Sequence, residues 1–244
     1  MIVEVCANSL ESALNAQKSG ADRIELCSEL GVGGITPSYG LLKMARQHIA
    51  IPVHVLIRPR SGDFTYSDIE FEVMKRNIEL CVELGFDGIV SGVLFADGTL
   101  DVERTKELLR ISAPLKFTFH RAFDWVKNPL ETLRQLEGIG VDTILTSGQQ
   151  KSAFEGLDLL SELHQRTSKT TIMPGSGINP DNVHHFISGG FRAVHLSGSK
   201  FEKRIDTTPK VSMNSPSFLK DDAIAITDGS IIGRVVDSVI TNSN

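Results

Sequence analysis

Three observations predict a single-domain TIM-type (β/α)8 barrel: short β-rich runs alternate with helical patterns, a Gly-x-Asp motif recurs before the runs, and the chain has 244 residues. Barrels of this type need roughly 250 residues. The sequence offers enough βα units to close a sheet on itself, which favours a barrel over an open doubly wound sheet.

The expected strands are Ile2–Cys6, Arg23–Cys27, Val53–Arg58, Gly88–Ser91, Lys116–His120, Thr143–Thr146, Thr171–Pro174 and Ala193–Ser197. They are aliphatic, as strands of a parallel sheet covered on both faces tend to be. Between them, helices are expected at Ser9–Ser19, Ser67–Leu84, Val102–Ile111, Pro129–Gly138, Leu157–Arg166 and Pro180–Ser188. Gly20, Gly85, Gly140 and Gly190 follow helical stretches, where glycine supplies a left-handed cap. Gly20-Ala21-Asp22, Gly85-Phe86-Asp87 and Gly140-Val141-Asp142 each introduce a strand, a weak internal repeat. The barrel is expected over residues 1–200. Residues 201–244, with Pro209, Pro216, an apolar run at Ala223–Thr227 and a helix at Ser230–Ile240, read as an extension packing on the barrel or on a partner subunit.

With 41% hydrophobic but only 6% aromatic residues, the core should be aliphatic. A formal net charge of -5 argues against nucleic-acid and anionic-membrane partners. No apolar run approaches the ~20 residues of a membrane span, and the start Met1-Ile2-Val3-Glu4 lacks the basic segment of a signal peptide. An odd count of 3 cysteines without a secretion signal suggests reduced thiols and a cytoplasmic location.

Barrel chemistry collects at the carboxyl ends of strands, and here those ends are polar. Glu4 and Cys6 share one face of the first strand, as Glu25 and Cys27 share one face of the second. An ionised carboxylate inside a barrel is costly unless cations or hydrogen bonds meet it. Arg58, Arg60 and Arg121 at neighbouring strand ends are the expected partners. Glu4, Glu25, His120 and Asp124 are the candidate acid–base residues, and the alternative is an ion network that only holds the barrel together. His54 and His195, taken singly, read as satisfied structural groups. An anion would be held by Arg58, Arg60, Asp63, Arg121 and Ser147 together with the glycine-rich turns at Gly175, Gly177, Ser197 and Gly198. Such turns can cradle phosphate through backbone N–H groups, although short Gly/Ser motifs also serve as plain tight turns. Cys81, in a helical stretch, reads as a packing residue. Cys6 and Cys27 lie on adjacent strands about 4.8 Å apart and could approach one soft ion such as Cu(I).

Taken together, these motifs resemble the CutC family, described as copper homeostasis proteins. The matching segments include Glu4-Val5-Cys6, Arg23-Ile24-Glu25-Leu26-Cys27, Gly33-Gly34-Ile35-Thr36-Pro37-Ser38 and Ile57-Arg58-Pro59-Arg60-Ser61-Gly62-Asp63-Phe64. Further on they include Phe119-His120-Arg121-Ala122-Phe123-Asp124, Ile144-Leu145-Thr146-Ser147-Gly148 and Met173-Pro174-Gly175-Ser176-Gly177-Ile178. The resemblance implies a TIM barrel in the cytoplasm that self-associates, as a homodimer. It also implies a part in copper handling, with Cys6 and Cys27 as Cu(I) ligands. Two other readings stay open on the residues: a barrel enzyme acting on a small anionic metabolite, phosphorylated or not, and a non-catalytic binding barrel.

Overall fold

The computed structural model describes residues 1–207, 210–214 and 221–242; Pro209 and Pro216 lie outside these. Eight parallel strands form one sheet: β1 (Ile2–Ala7), β2 (Arg23–Leu26), β3 (Val53–Leu56), β4 (Gly88–Ser91), β5 (Lys116–Phe119), β6 (Thr143–Thr146), β7 (Thr171–Pro174) and β8 (Ala193–Leu196). Each strand pairs with its sequence neighbour, β8 returns to β1, and a bridge between Gly175 and His195 links β7 to β8. The barrel is thereby closed.

Helices alternate with the strands: α1 (Leu10–Lys18), α2 (Tyr39–His48), α3 (Asp68–Glu83), α4 (Val102–Ser112), α5 (Pro129–Ile139), α6 (Leu157–Arg166), α7 (Val183–Ser188) and α8 (Gly229–Thr241). Side-chain oxygens of Ser9, Ser38, Ser67 and Asp101 accept from backbone N–H groups in the first turns of α1 to α4. Helix α2 is absent from the sequence-based expectation. Only Leu42 and Ala45 of its residues are buried, so its apolar stripe is faint. Beyond β8 the chain forms an antiparallel hairpin of β9 (Ser199–Lys203) and β10 (Ala223–Thr227). Asn15 Nδ2 donates to the Thr227 carbonyl, and the Thr227 N–H to Ser12 Oγ, so the hairpin is tied to α1. Ile232, Val235 and Val239 of α8 join the main core.

The Gly-x-Asp repeat has a structural cause. Asp22, Asp87 and Asp142 each accept, through Oδ2, the first free N–H of the preceding strand, from Val3 at 2.8 Å, Val53 at 2.9 Å and Phe117 at 2.9 Å. Their own N–H groups return to the carbonyls of those same residues. Each aspartate thus clamps an odd strand to the next even one at the amino end of the barrel, and the preceding glycine, at φ +87°, +72° or +92°, releases the chain from its helix. Asp87→Ala should therefore cost about 1–3 kcal/mol in urea denaturation, because it strands the buried N–H of Val53. Asp87→Asn, which keeps the acceptor, should recover most of that loss.

Strand parity divides the apolar residues. Val3, Val5, Ile24, Val53, Val55, Ile89, Phe117, Phe119, Ile144 and Ile172 belong to the core shared with the helices. The alternate positions form two small separate clusters, Cys6, Cys27, Leu56 and Val90 in one and Leu145, Met173 and Ala193 in the other. Barrel interiors are usually filled by bulky branched residues. Here several of the remaining interior positions carry ionisable groups, Glu4, Arg23, Glu25, His54 and His195, and others carry threonine or glycine.

Candidate functional site

Pairing register places Glu4 directly between Arg23 of β2 and His195 of β8. The fully buried carboxylate accepts from Arg23 Nε through Oε2 at 2.5 Å and contacts His195 Nδ1 through Oε1 at 2.8 Å. His54 Nδ1 lies 4.0 Å from Oε2, and Gly88 makes room for this imidazole: a Cβ there would fall 2.4 Å from the ring. Burial pushes the Glu4 carboxyl up, but the His195 hydrogen bond and the Arg23 charge outweigh it and hold its pKa down at about 2. His195 Nε2 faces Glu25 Oε2 at 3.5 Å. Burial raises the pKa of Glu25, its largest influence, against the opposing pull of His195. The two carboxylates in turn lift His195 above its ordinary value despite burial. An imidazole flanked by two carboxyl groups is an arrangement that favours its protonated form.

Above this network, Cys6 Sγ and Cys27 Sγ approach to 3.5 Å, both thiols free and buried. Hydrogen bonding to Cys27, followed by burial, keeps the Cys6 thiol protonated well above its usual range. One potential ligand atom each from Cys6, Glu25 and His195 lies within 4.8 Å of the others. These groups line a cavity of about 350 Å³ at the carboxyl ends of the strands. Its wall also includes Leu30, Leu56, Arg58, Phe64, His120 and Arg121, and the turns Ser176–Ile178 and Leu196–Ser197.

The predicted site residues separate into two groups. Cys6, Glu25, Arg58, His120, Arg121, Gly177 and Ser197 line the cavity. Cys27 lies behind Cys6, and Gly175 does not line the cavity but packs behind two residues that do, where a Cβ would meet Leu145 at 2.5 Å and His195 at 3.3 Å. Arg58 does not pair with the interior carboxylates. Its guanidinium donates to the carbonyls of Val32, Gly34 and Gly62 and packs over Phe64, fastening the two loops that roof the cavity. Arg60 and Asp63 pair with each other, and Arg60 also binds Glu70, on an exposed loop outside the cavity.

Asp124 also departs from the acid–base expectation. Its carboxylate accepts from Thr146 Oγ1, the N–H groups of Ser147 and Gln149, and Arg121 Nε, so it ties the β6 loop to the turn after β5. Ser147 Oγ accepts from Arg121 and donates to the Gln150 carbonyl. Glu4 lies below the cavity as the hub of the network. Gly198 packs on Ile232, and the nearby N-terminus of α8 is already capped by the Asp228 carboxylate, so no anion is needed there. The partners of Glu4, Arg23 and His195, were missed because they were not set in register with it. Strand parity was the available signal, since Arg23, Glu25 and Cys27 alternate along one face.

Among the described residues no helix is long and apolar enough to cross a membrane. A family model described as the CutC family matches residues 1–200. A CutC family protein from Salmonella agona is 48% identical over 196 residues, covering 80% of this chain and 79% of that one. The Salmonella typhimurium CutC family protein matches equally, at 48% over 196 residues. Among solved structures, a copper homeostasis protein CutC from Streptococcus agalactiae superposes with a TM-score of 0.77 at 32% identity, covering 81% of this chain and 98% of that one. Thiamine phosphate pyrophosphorylase from Pyrococcus furiosus, at 14% identity and a TM-score of 0.61, covers 100% of this chain and 97% of its own and shares the barrel alone. With the family model spanning most of the chain and these relatives agreeing, the chain belongs to the CutC family.

Proposed function

We propose that the protein takes part in copper homeostasis by binding one Cu(I) ion between Cys6 and Cys27 on the floor of the cavity. The observation that carries this is the convergence of two sulfurs from adjacent strands to 3.5 Å in a buried setting. Thiolates favour soft ions, Cu(I) above all. Glu25, within 4.8 Å of the Cys6 sulfur, supplies a nearby acceptor for the protons that the thiols must release. The reading also needs a reducing cytoplasmic setting, in which the pair stays unoxidised.

The test is titration of the reduced protein with Cu(I) against a competing chelator. One-to-one binding should be retained in Cys81→Ser and lost in Cys6→Ser/Cys27→Ser. Weak binding, or binding indifferent to those two cysteines, refutes the assignment.

A further inference from the structure

The sulfur pair accounts for one side of the cavity and leaves His120 unexplained. This residue is 4% exposed and follows directly on β5, where it opens the 3-10 turn Arg121–Trp125. Its Nδ1 accepts the N–H of Ala122 at 3.2 Å. A neutral imidazole has one N–H and one acceptor nitrogen, so a ring whose Nδ1 accepts carries its proton on Nε2. That Nε2 is buried and has no hydrogen-bond partner.

The surroundings hold the ring in this position. A Cβ on Gly92 would fall 2.8 Å from it, Phe64 packs at 4.8 Å between centroids, and Trp125 lies edge-on over Phe64 at 4.9 Å. Burial, reinforced by the Arg58 charge, depresses the imidazole pKa to about 3, so the ring stays neutral at physiological pH. A neutral histidine that lines a cavity and keeps an N–H with no partner can polarise a ligand oxygen, as a neutral imidazole does in known barrel chemistry. Stranding a buried donor costs about 1–3 kcal/mol, a cost that a bound acceptor would remove.

Other donors surround the same space. Arg121 lines it, and the backbone N–H groups of Ser176, Gly177 and Ile178 have no acceptor among the described residues. Ser176 holds φ +83°, a strained conformation for a residue with a side chain. Leu30, Leu56, Leu145 and Ile178 add apolar wall that a carbon skeleton would contact and an inorganic ion would not.

We propose that the cavity binds a small organic acid, one oxygen of which accepts the Nε2–H of His120 while its negative charge faces Arg121 and the N–H groups of the Ser176–Ile178 turn. The groups assigned to the acid, His120, Arg121 and the Ser176–Ile178 turn, are distinct from the two sulfurs, although Cys6 lines the same cavity.

The test uses pyruvate and succinate as probes and inorganic phosphate as comparator. Emission from Trp125, the only tryptophan among 244 residues, follows binding, and 15N NMR of histidine-labelled protein follows the imidazole. A carboxylate probe should change the emission saturably and shift the protonated Nε2 resonance of His120. His120→Phe should weaken binding roughly 10- to 100-fold, and His120→Gln, which keeps an N–H donor, should restore part of it. Cys81→Ser, in α3 away from the cavity, should bind the probe as the wild type does.

Four results would overturn the proposal. They are an Nδ1-protonated His120, an unmoved Nε2 resonance at saturating carboxylate, binding of phosphate alone, or undiminished binding by folded His120→Phe. Should copper binding fail while carboxylate binding persists, the copper reading falls and this one stands.

Discussion

Glu4→Gln is expected to destabilise the fold by about 3–5 kcal/mol, the usual cost of removing one partner from a buried ion pair. The substitution keeps the volume and removes only the charge. Arg23, whose Nε donates to Glu4, would then lose its carboxylate partner, and His195, held at 2.8 Å from the same carboxylate, would keep only Glu25 at 3.5 Å as counter-charge. Against the 5–15 kcal/mol that stabilises a typical domain, this is a large fraction. Urea denaturation checks it, provided the dependence on denaturant is unchanged between the two proteins. A loss below 1 kcal/mol would show that Arg23 and His195 find other partners and that Glu4 is not the hub. The expected size reflects position: the ion pairs on the exposed faces of α3 and α4 join side chains in contact with water, where such pairs are worth a fraction of a kcal/mol.

The barrel was legible because its elements repeat a local rule. Aliphatic strands, serine and aspartate caps, and the Gly-x-Asp clamp are each written within a few consecutive residues. Helix α2 broke that rule: with only Leu42 and Ala45 buried, it shows little periodicity, and its place followed from the connection it makes. The site was legible in part. Same-face spacing placed Glu4 with Cys6 and Glu25 with Cys27 on one side of their strands, and in the structure these faces point inward and bring the sulfurs to 3.5 Å. The counter-charges were read from proximity in sequence to the strand ends, which pointed to Arg58, Arg60 and Arg121. The true partners, Arg23 and His195, sit directly across from Glu4 in the sheet. Cross-strand register arises from the packing of the whole barrel and is not encoded in any one strand. For the same reason His120 looked like an acid–base group, since its Ala122 hydrogen bond and its burial emerge only in the folded turn.

Acidification is the second large effect, and histidines set where it begins. His120 and His54 are buried neutral, with pKa values lowered from 6.5 to about 3 and about 4, burial being the main cause for both. A group depressed in the folded state contributes stability above its unfolded pKa and loses it as pH falls towards the folded value. Between pH 6.5 and 4.5 the unfolded chain takes up these two protons while the folded chain does not, so each histidine removes about 2–3 kcal/mol. Glu4, lowered from 4.5 to about 2, adds its own loss only below pH 4.5. His195 acts in the opposite sense: with its pKa raised, the folded chain takes up that proton before the unfolded chain does, so its contribution is not lost as pH falls. Stability measured by urea at pH 7, 5.5 and 4.5 should therefore decline, with Glu25, whose folded pKa is raised, and His195 offsetting part of the histidine loss. The decline should be shallower in His120→Phe, which has no proton to take up at that position. A flat profile down to pH 4.5, or an equal slope in the variant, would mean that the imidazole is protonated inside the fold, and the donor assigned to the cavity would then be a cation.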